Sequence, residues 1–79
     1  GNIKDNYKKL GLVTEWYENG QKSSEQEYLN GYPSGIKRFW YENGQIESES
    51  KIELVNGKKV IRYSKKWGED GELLENIQN

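Results

Sequence analysis

Uncharged and charged positions alternate without a break from Ile46 to Leu54, with apolar residues only on the uncharged side. Ile46, Ser48, Ser50, Ile52 and Leu54 fall on one side; Glu47, Glu49, Lys51 and Glu53 fall on the other. A period of two marks a strand with one face toward a core and one toward solvent. The flanking stretches are closed by Asn-Gly or Asp-Gly, the strongest short hairpin signal because both residues tolerate positive φ. Five such pairs occur, at Asn19-Gly20, Asn30-Gly31, Asn43-Gly44, Asn56-Gly57 and Asp70-Gly71. Their separations of 11, 13, 13 and 14 residues leave room for strand, turn and strand, but not for a crossover helix. The pattern predicts an all-β fold: an antiparallel meander of about six strands, built from repeated β-hairpins, at residues 11–17, 21–29, 36–41, 45–55, 58–68 and 72–77. The segment from Gly31 to Gly35 is expected to be the longest loop.

The turns alternate in kind, so the unit is a pair of strands. WYENGQ stands at 16–21 and again at 40–45, and a worn copy, WGEDGE, stands at 67–72. The tryptophans are 24 and then 27 residues apart. Units of this period form arrays in which each unit buries its apolar face only by stacking on its neighbours. One domain is expected over residues 1–79, with units at about 11–34, 35–57 and 58–79, and with 1–10 as an N-terminal cap or partial repeat.

Three segments carry a resemblance: GLVTEWYENGQ, NGYPSGIKRFWYENGQIESE and the weaker NGKKVIRYSKKWGEDGEL. Together they resemble the MORN-repeat variant found in bacterial proteins, including YwqK-type antitoxin-like repeat proteins. The aromatic pair, the Asn-Gly turn and the following Glu recur together. The Gly-x-x-x-Gly element is complete at Gly31 and Gly35 and is lost after Gly57, and Gly68 stands where Tyr17 and Tyr41 stand in the earlier copies. The resemblance implies successive β-hairpins and little about activity. Eukaryotic members are linked to membranes and protein scaffolding.

Neighbours in a strand point to opposite faces, so Trp40 and Tyr41 cannot both be core. A two-residue Asn43-Gly44 loop would pair Tyr41 with Ile46. A three-residue Glu42-Asn43-Gly44 loop, a type I turn with Gly44 in the G1-bulge position, pairs Trp40 with Ile46 instead. With a two-residue Asn56-Gly57 turn pairing Ile52 with Ile61, the three-residue loop puts Trp40 and Trp67 on one face, and repeats should preserve their core. The expected core face is Leu12, Trp16, Tyr28, Ile36, Trp40, Ile46, Ile52, Leu54, Ile61, Tyr63, Trp67, Leu73 and Ile77. The expected outer face is Val13, Glu15, Tyr17, Glu25, Glu27, Lys37, Phe39, Tyr41, Glu47, Glu49, Lys51, Glu53, Arg62 and Lys66. On this reading Trp16, Trp40 and Trp67 are structural, as are the turn glycines Gly20, Gly44 and Gly71. Tyr17, Phe39 and Tyr41, with Lys37, Glu25 and Glu49 beside them, form the candidate binding surface, because Tyr anchors interfaces well. A one-layer sheet must still cover its apolar face, by curling onto itself, by its N-terminal segment or by another chain.

Composition narrows the classes. Hydrophobic residues make up 32% of the chain and charged residues another 32%, which is lean for a core. Net charge is −1 with both signs mixed, so no basic block suggests nucleic acid. No apolar run reaches the length of a membrane helix. The chain has no Cys and no His, which removes disulfides, the commonest general base and most zinc chemistry. The glutamates read as a solvated strand face balanced by Lys37, Arg38, Lys51 and Lys66. No catalytic residue, metal or cofactor is expected. The start, GNIKDNYKKL, is no signal peptide and has no initiator Met, so a domain excised from a longer bacterial protein is expected. The leading function is a non-enzymatic module for protein–protein interaction or scaffolding, with self-association through its edge strands. The alternatives are an antitoxin-type domain that binds a toxin directly, and a carbohydrate- or membrane-surface-binding module.

Overall fold

The computed structural model describes residues 10–78. They form six strands: β1 (Leu10–Trp16), β2 (Lys22–Leu29), β3 (Tyr32–Trp40), β4 (Ile46–Val55), β5 (Lys58–Trp67) and β6 (Leu73–Gln78). The strands lie in one antiparallel sheet in the order of the chain. The fold is the all-β meander that the turn spacing predicts. The expected cap at 1–10 falls almost wholly outside the described residues.

Two turn types alternate along the meander, and each follows from its residues. At Asn30-Gly31 and Asn56-Gly57 all four residues have positive φ. Leu29 then faces Tyr32, and Val55 faces Lys58. These are two-residue type I′ turns, whose twist matches that of the strands they join. At the opposite end of the sheet the turns have three residues. The Tyr41 N–H donates to the Gln45 carbonyl at 2.9 Å and the Gly44 N–H to the Tyr41 carbonyl at 3.0 Å. Gly44 has φ 91°, so it occupies the G1-bulge position, and Trp40 faces Ile46 as expected. The same bonds recur from Tyr17 and from Gly68.

Two expectations are corrected. The segment Gly31 to Gly35 is not a long loop, because β3 begins at Tyr32. Gly35, at φ 90°, instead marks an irregularity within the strand: β2 advances from Gln26 to Tyr28 while β3 runs from Lys37 back to Pro33. Glu27 Oε1 accepts the Ile36 N–H there at 2.7 Å, and Pro33, which has no N–H to give, sits beside this break in the ladder.

The second correction concerns the faces. Each tryptophan lies opposite a bulge. Trp40 faces Ile46 but Phe39 faces Ser48, so Glu47 is the extra residue; Ser23 and Leu74 are its counterparts opposite Trp16 and Trp67. The bulge reverses the alternation, and Ser48, Ser50, Ile52 and Leu54 fall on the face opposite Trp40. A further bulge at Arg62 reverses it again, since Lys51 faces Tyr63 but Ile52 faces Ile61. The two reversals cancel. Trp67 therefore does share a face with Trp40, while Ile52, Leu54 and Ile61, with Tyr28 and Ile77, lie on the other side. Conversely Glu25, Glu27, Glu49, Lys51 and Glu53 join the tryptophan face.

The sheet measures 50 × 32 × 12 Å, the thickness of one layer. Among the described residues only Ile52 is buried, at 4% exposure, and the expected tryptophan core does not close: Trp16 is 60% exposed and Trp40 and Trp67 are half-buried. Burying one Ile side chain stabilises by roughly 1.5–3 kcal/mol. Ordering the backbone of each residue costs about 1–2 kcal/mol. One buried residue cannot offset that, so cohesion rests on the strand ladders and on part-buried cross-strand contacts.

Candidate functional site

The ends of the three-residue turns are tied together from one repeat to the next. The Tyr17 hydroxyl donates to the Trp40 carbonyl, and the Tyr41 hydroxyl donates to the Trp67 carbonyl at 2.8 Å. Beside each of these rungs runs a second. Asn19 Nδ2 donates to the Glu42 carbonyl at 2.9 Å, and Asn43 Nδ2 to the Glu69 carbonyl at 3.1 Å. The same asparagines accept through Oδ1, from the N–H of Gln21 and of Gln45, and so set their own turns. Asp70 does only the second task, accepting from the Glu72 N–H at 3.0 Å, since a carboxylate has no donor. The tyrosines and asparagines of WYENGQ are thus the joints between repeats.

These joints hold Trp16, Trp40 and Trp67 in a row on alternate strands. Lys22 lies between the first two, its Nζ 5.6 Å from the centroid of the Trp40 ring. Trp16, Trp40, Lys22, Gln21 and the turn glycines Gly20 and Gly44 line a groove of about 330 Å³. Glu18, Glu42 and Glu69 are exposed at the turn tips, each two residues past its tryptophan. Partial burial raises the Tyr41 hydroxyl above its ordinary pKa, and the carboxylates of Glu47, Glu69 and Asp70 add to the rise. The rim of the tryptophan row is therefore acidic.

A polar row runs beside it across β2 to β5. Lys22 Nζ meets Glu25 Oε2 at 2.7 Å, and Arg38 reaches Glu25 at 3.8 Å and Glu49 at 3.4 Å. The Tyr63 hydroxyl donates to Glu49 Oε2 at 2.7 Å. That bond, and Arg38 after it, hold the Glu49 carboxyl below the usual range, while the same bond raises Tyr63. Neither group changes charge near neutral pH, so this pair is not poised for proton transfer.

The six expected binding residues do not form one patch. Tyr17 and Tyr41 sit at the turns and bond the next repeat. Glu25 and Glu49 lie in the polar row. Lys37 and Phe39 are on the opposite face, where Lys37 Nζ stands 5.2 Å from the Phe39 ring, beside a shallow depression with Val13, Glu15, Ser24 and Tyr28. Sequence reasoning passed over Lys22, gave Arg38 only the task of balancing the glutamates, and gave Asn19 and Asn43 only that of setting their turns. For the asparagines a signal existed: Asn rather than Asp at the same turn position, 24 residues apart, means a spare donor. Among the described residues no three Asp, Glu, His or Cys groups cluster in a way that could hold a metal ion.

One-layer geometry, alternating turn types and rungs between equivalent turns define a hairpin-repeat sheet. The sequence model of the MORN repeat variant matches residues 9–30 and 33–52, more than half of the chain, and the chain belongs to that family. The third unit lies beyond the matched residues, yet its turn at Gly68 repeats the backbone bonds of the other two. No curated protein and no solved structure matches.

Proposed function

We propose that this chain is a non-catalytic module that binds protein through its tryptophan face. Repeat modules of this family commonly bind or scaffold and are generally non-catalytic. The observation that carries the reading is Trp16, an indole 60% exposed in a row with two others and held there by bonds between repeats. Trp is enriched among the residues that dominate binding energy at protein interfaces. Trp40 and Trp67 are half-buried, so the row is held in place by its own packing and is a preorganised surface, which lowers the ordering cost of binding. Neutralising a toxin by direct contact would be one form of such binding.

The test is to immobilise the protein and compare what it retains from extracts of its source with what two variants retain. Trp16→Ser should abolish retention of a specific protein, and Phe39→Ser, on the opposite face, should leave it intact. Equal retention by parent and Trp16→Ser, or loss only with Phe39→Ser, would sink the assignment of the face.

A further inference from the structure

The tryptophan row has a period, and that period selects a ligand conformation. Trp16, Trp40 and Trp67 lie on β1, β3 and β5, so two strand spacings separate each pair. Strands lie about 4.7–4.9 Å apart, so the strands that carry the indoles recur about every 9.5 Å across the sheet. A polyproline II helix rises about 3.1 Å per residue with three residues per turn, and presents the same side about every 9.3 Å. An extended strand, at about 3.3 Å per residue with a period of two, repeats its side chains about every 6.6 Å and falls out of step by the second indole.

The chemistry agrees with the spacing. Polyproline II has no internal hydrogen bonds, so its carbonyls are open to donors such as indole N–H. Aromatic-lined grooves are the usual receptors for proline-rich segments. Lys22 and Ile46 lie on the strands between the indoles, and the turn end of the groove is lined by Gly20, by Gly44 and by the Gln21 side chain that lies against Gly44. The charge of the rim then fixes the sign of the ligand. Glu18, Glu42 and Glu69 recur at the turn tips alongside the indoles, and Asp70 and Glu72 add to them. The cation within the groove, Lys22, is paired with Glu25 at 2.7 Å. With three residues per turn, a ligand can offer one residue to the indoles, one to the acidic rim and one to water.

We propose that the Trp16–Trp40–Trp67 row binds a basic, proline-rich segment of a partner protein in the polyproline II conformation, about one helical turn per repeat. This rests on the protein-binding reading above and names the class of partner.

The probe is the blocked peptide (Pro-Pro-Arg)3, titrated against the intact protein by intrinsic tryptophan fluorescence. Three comparators are (Pro-Pro-Glu)3, the flexible (Gly-Ser-Arg)3 and a β-linked glucan hexasaccharide. The proposal expects saturable binding of (Pro-Pro-Arg)3, and about tenfold or more weaker binding of each comparator. Trp16→Ala should weaken binding by about tenfold or more, as truncating a central aromatic anchor does. That residue is exposed enough for the fold to survive its loss, which circular dichroism checks. Glu42→Gln with Glu69→Gln should weaken binding and flatten its salt dependence. No binding of (Pro-Pro-Arg)3, equal binding of either peptide comparator, tighter binding of the glucan, or indifference to Trp16→Ala would each overturn the proposal. Should the peptide fail while retention of a natural partner still depends on Trp16, the ligand class is wrong and the protein-binding face stands. Should both fail, the face itself is wrong.

Discussion

Tyr41→Phe isolates one joint between repeats. The substitution keeps the ring and removes the hydroxyl that donates to the Trp67 carbonyl at 2.8 Å, in a part-buried setting. A hydrogen bond of this kind contributes about 0.5–1.5 kcal/mol net, and a buried carbonyl left without its partner costs about 1–3 kcal/mol. Because the site is only partly closed to water, which can reach the freed carbonyl, the expected loss is about 1–1.5 kcal/mol. In urea, where small domains have slopes of about 1–3 kcal/mol/M, the midpoint should fall by roughly 0.3–1.5 M. The joint links repeats rather than strands within a repeat, and array stability separates into unit terms and neighbour terms. The transition should therefore also broaden, with circular dichroism and tryptophan fluorescence no longer coinciding. Tyr32→Phe is the control: Tyr32 is 64% exposed at the opposite end of the sheet, and its hydroxyl does not join repeats. Equal midpoints for parent and Tyr41→Phe, or an equal shift in the control, would refute the idea that tyrosine rungs couple the repeats.

Other consequences are measurable in the same way. Asn43→Asp keeps the Oδ1 acceptor for the Gln45 N–H and loses the Nδ2 donor to Glu69, so it should cost about 0.5–1.5 kcal/mol in urea melts; Asn43→Ala, which loses both bonds, should cost more. Gly35→Ala forces a Cβ to 2.3 Å from Glu27 Oε1 at φ 90°, so it should displace that carboxylate from the Ile36 N–H and destabilise by more than about 1 kcal/mol; an unchanged melting temperature would contradict this. The Glu49 carboxyl is held low in the folded state, so its contribution is present above the unfolded value of about 4.3 and is lost as pH falls through the folded pKa. Tyr41 and Tyr63 are raised, so theirs is present below about pH 10 and is lost as pH rises through the folded values. Melting temperature against pH should thus fall at both extremes, and Tyr63→Phe should reduce both slopes.

What could be read from sequence and what could not divide along a physical line. Turn types were legible, because Asn-Gly supplies two positive φ values at the type I′ turns and Glu-Asn-Gly leaves glycine alone in the bulge position. The number of strands, their order and the pairing of Trp40 with Ile46 followed from that local chemistry. The bulges at Ser23, Glu47, Leu74 and Arg62 carry no glycine or proline, and nothing local announces them. The residues that show where they lie are across the sheet, in the partners that each strand meets. A single extra residue reverses a face, so the alternation from Ile46 to Leu54, unbroken in sequence, is split between two faces in the sheet.

The second half of the division concerns WYENGQ. Its turn is determined by the residues within it. The task of its tyrosine is not, because the carbonyl that the hydroxyl reaches belongs to a residue 23 positions later in one case and 26 in the other. The burial of its tryptophan is not local either: it depends on whether a second layer covers the sheet. Sequence by itself determined a six-strand hairpin array with two alternating turns. Only the tertiary structure decided that the array is a single layer, that the tyrosines join its units and that Trp16 stands open in a row with the half-buried Trp40 and Trp67. Hairpin turns depend on backbone torsions within a few residues; faces, rungs and exposure depend on which strands come to lie side by side.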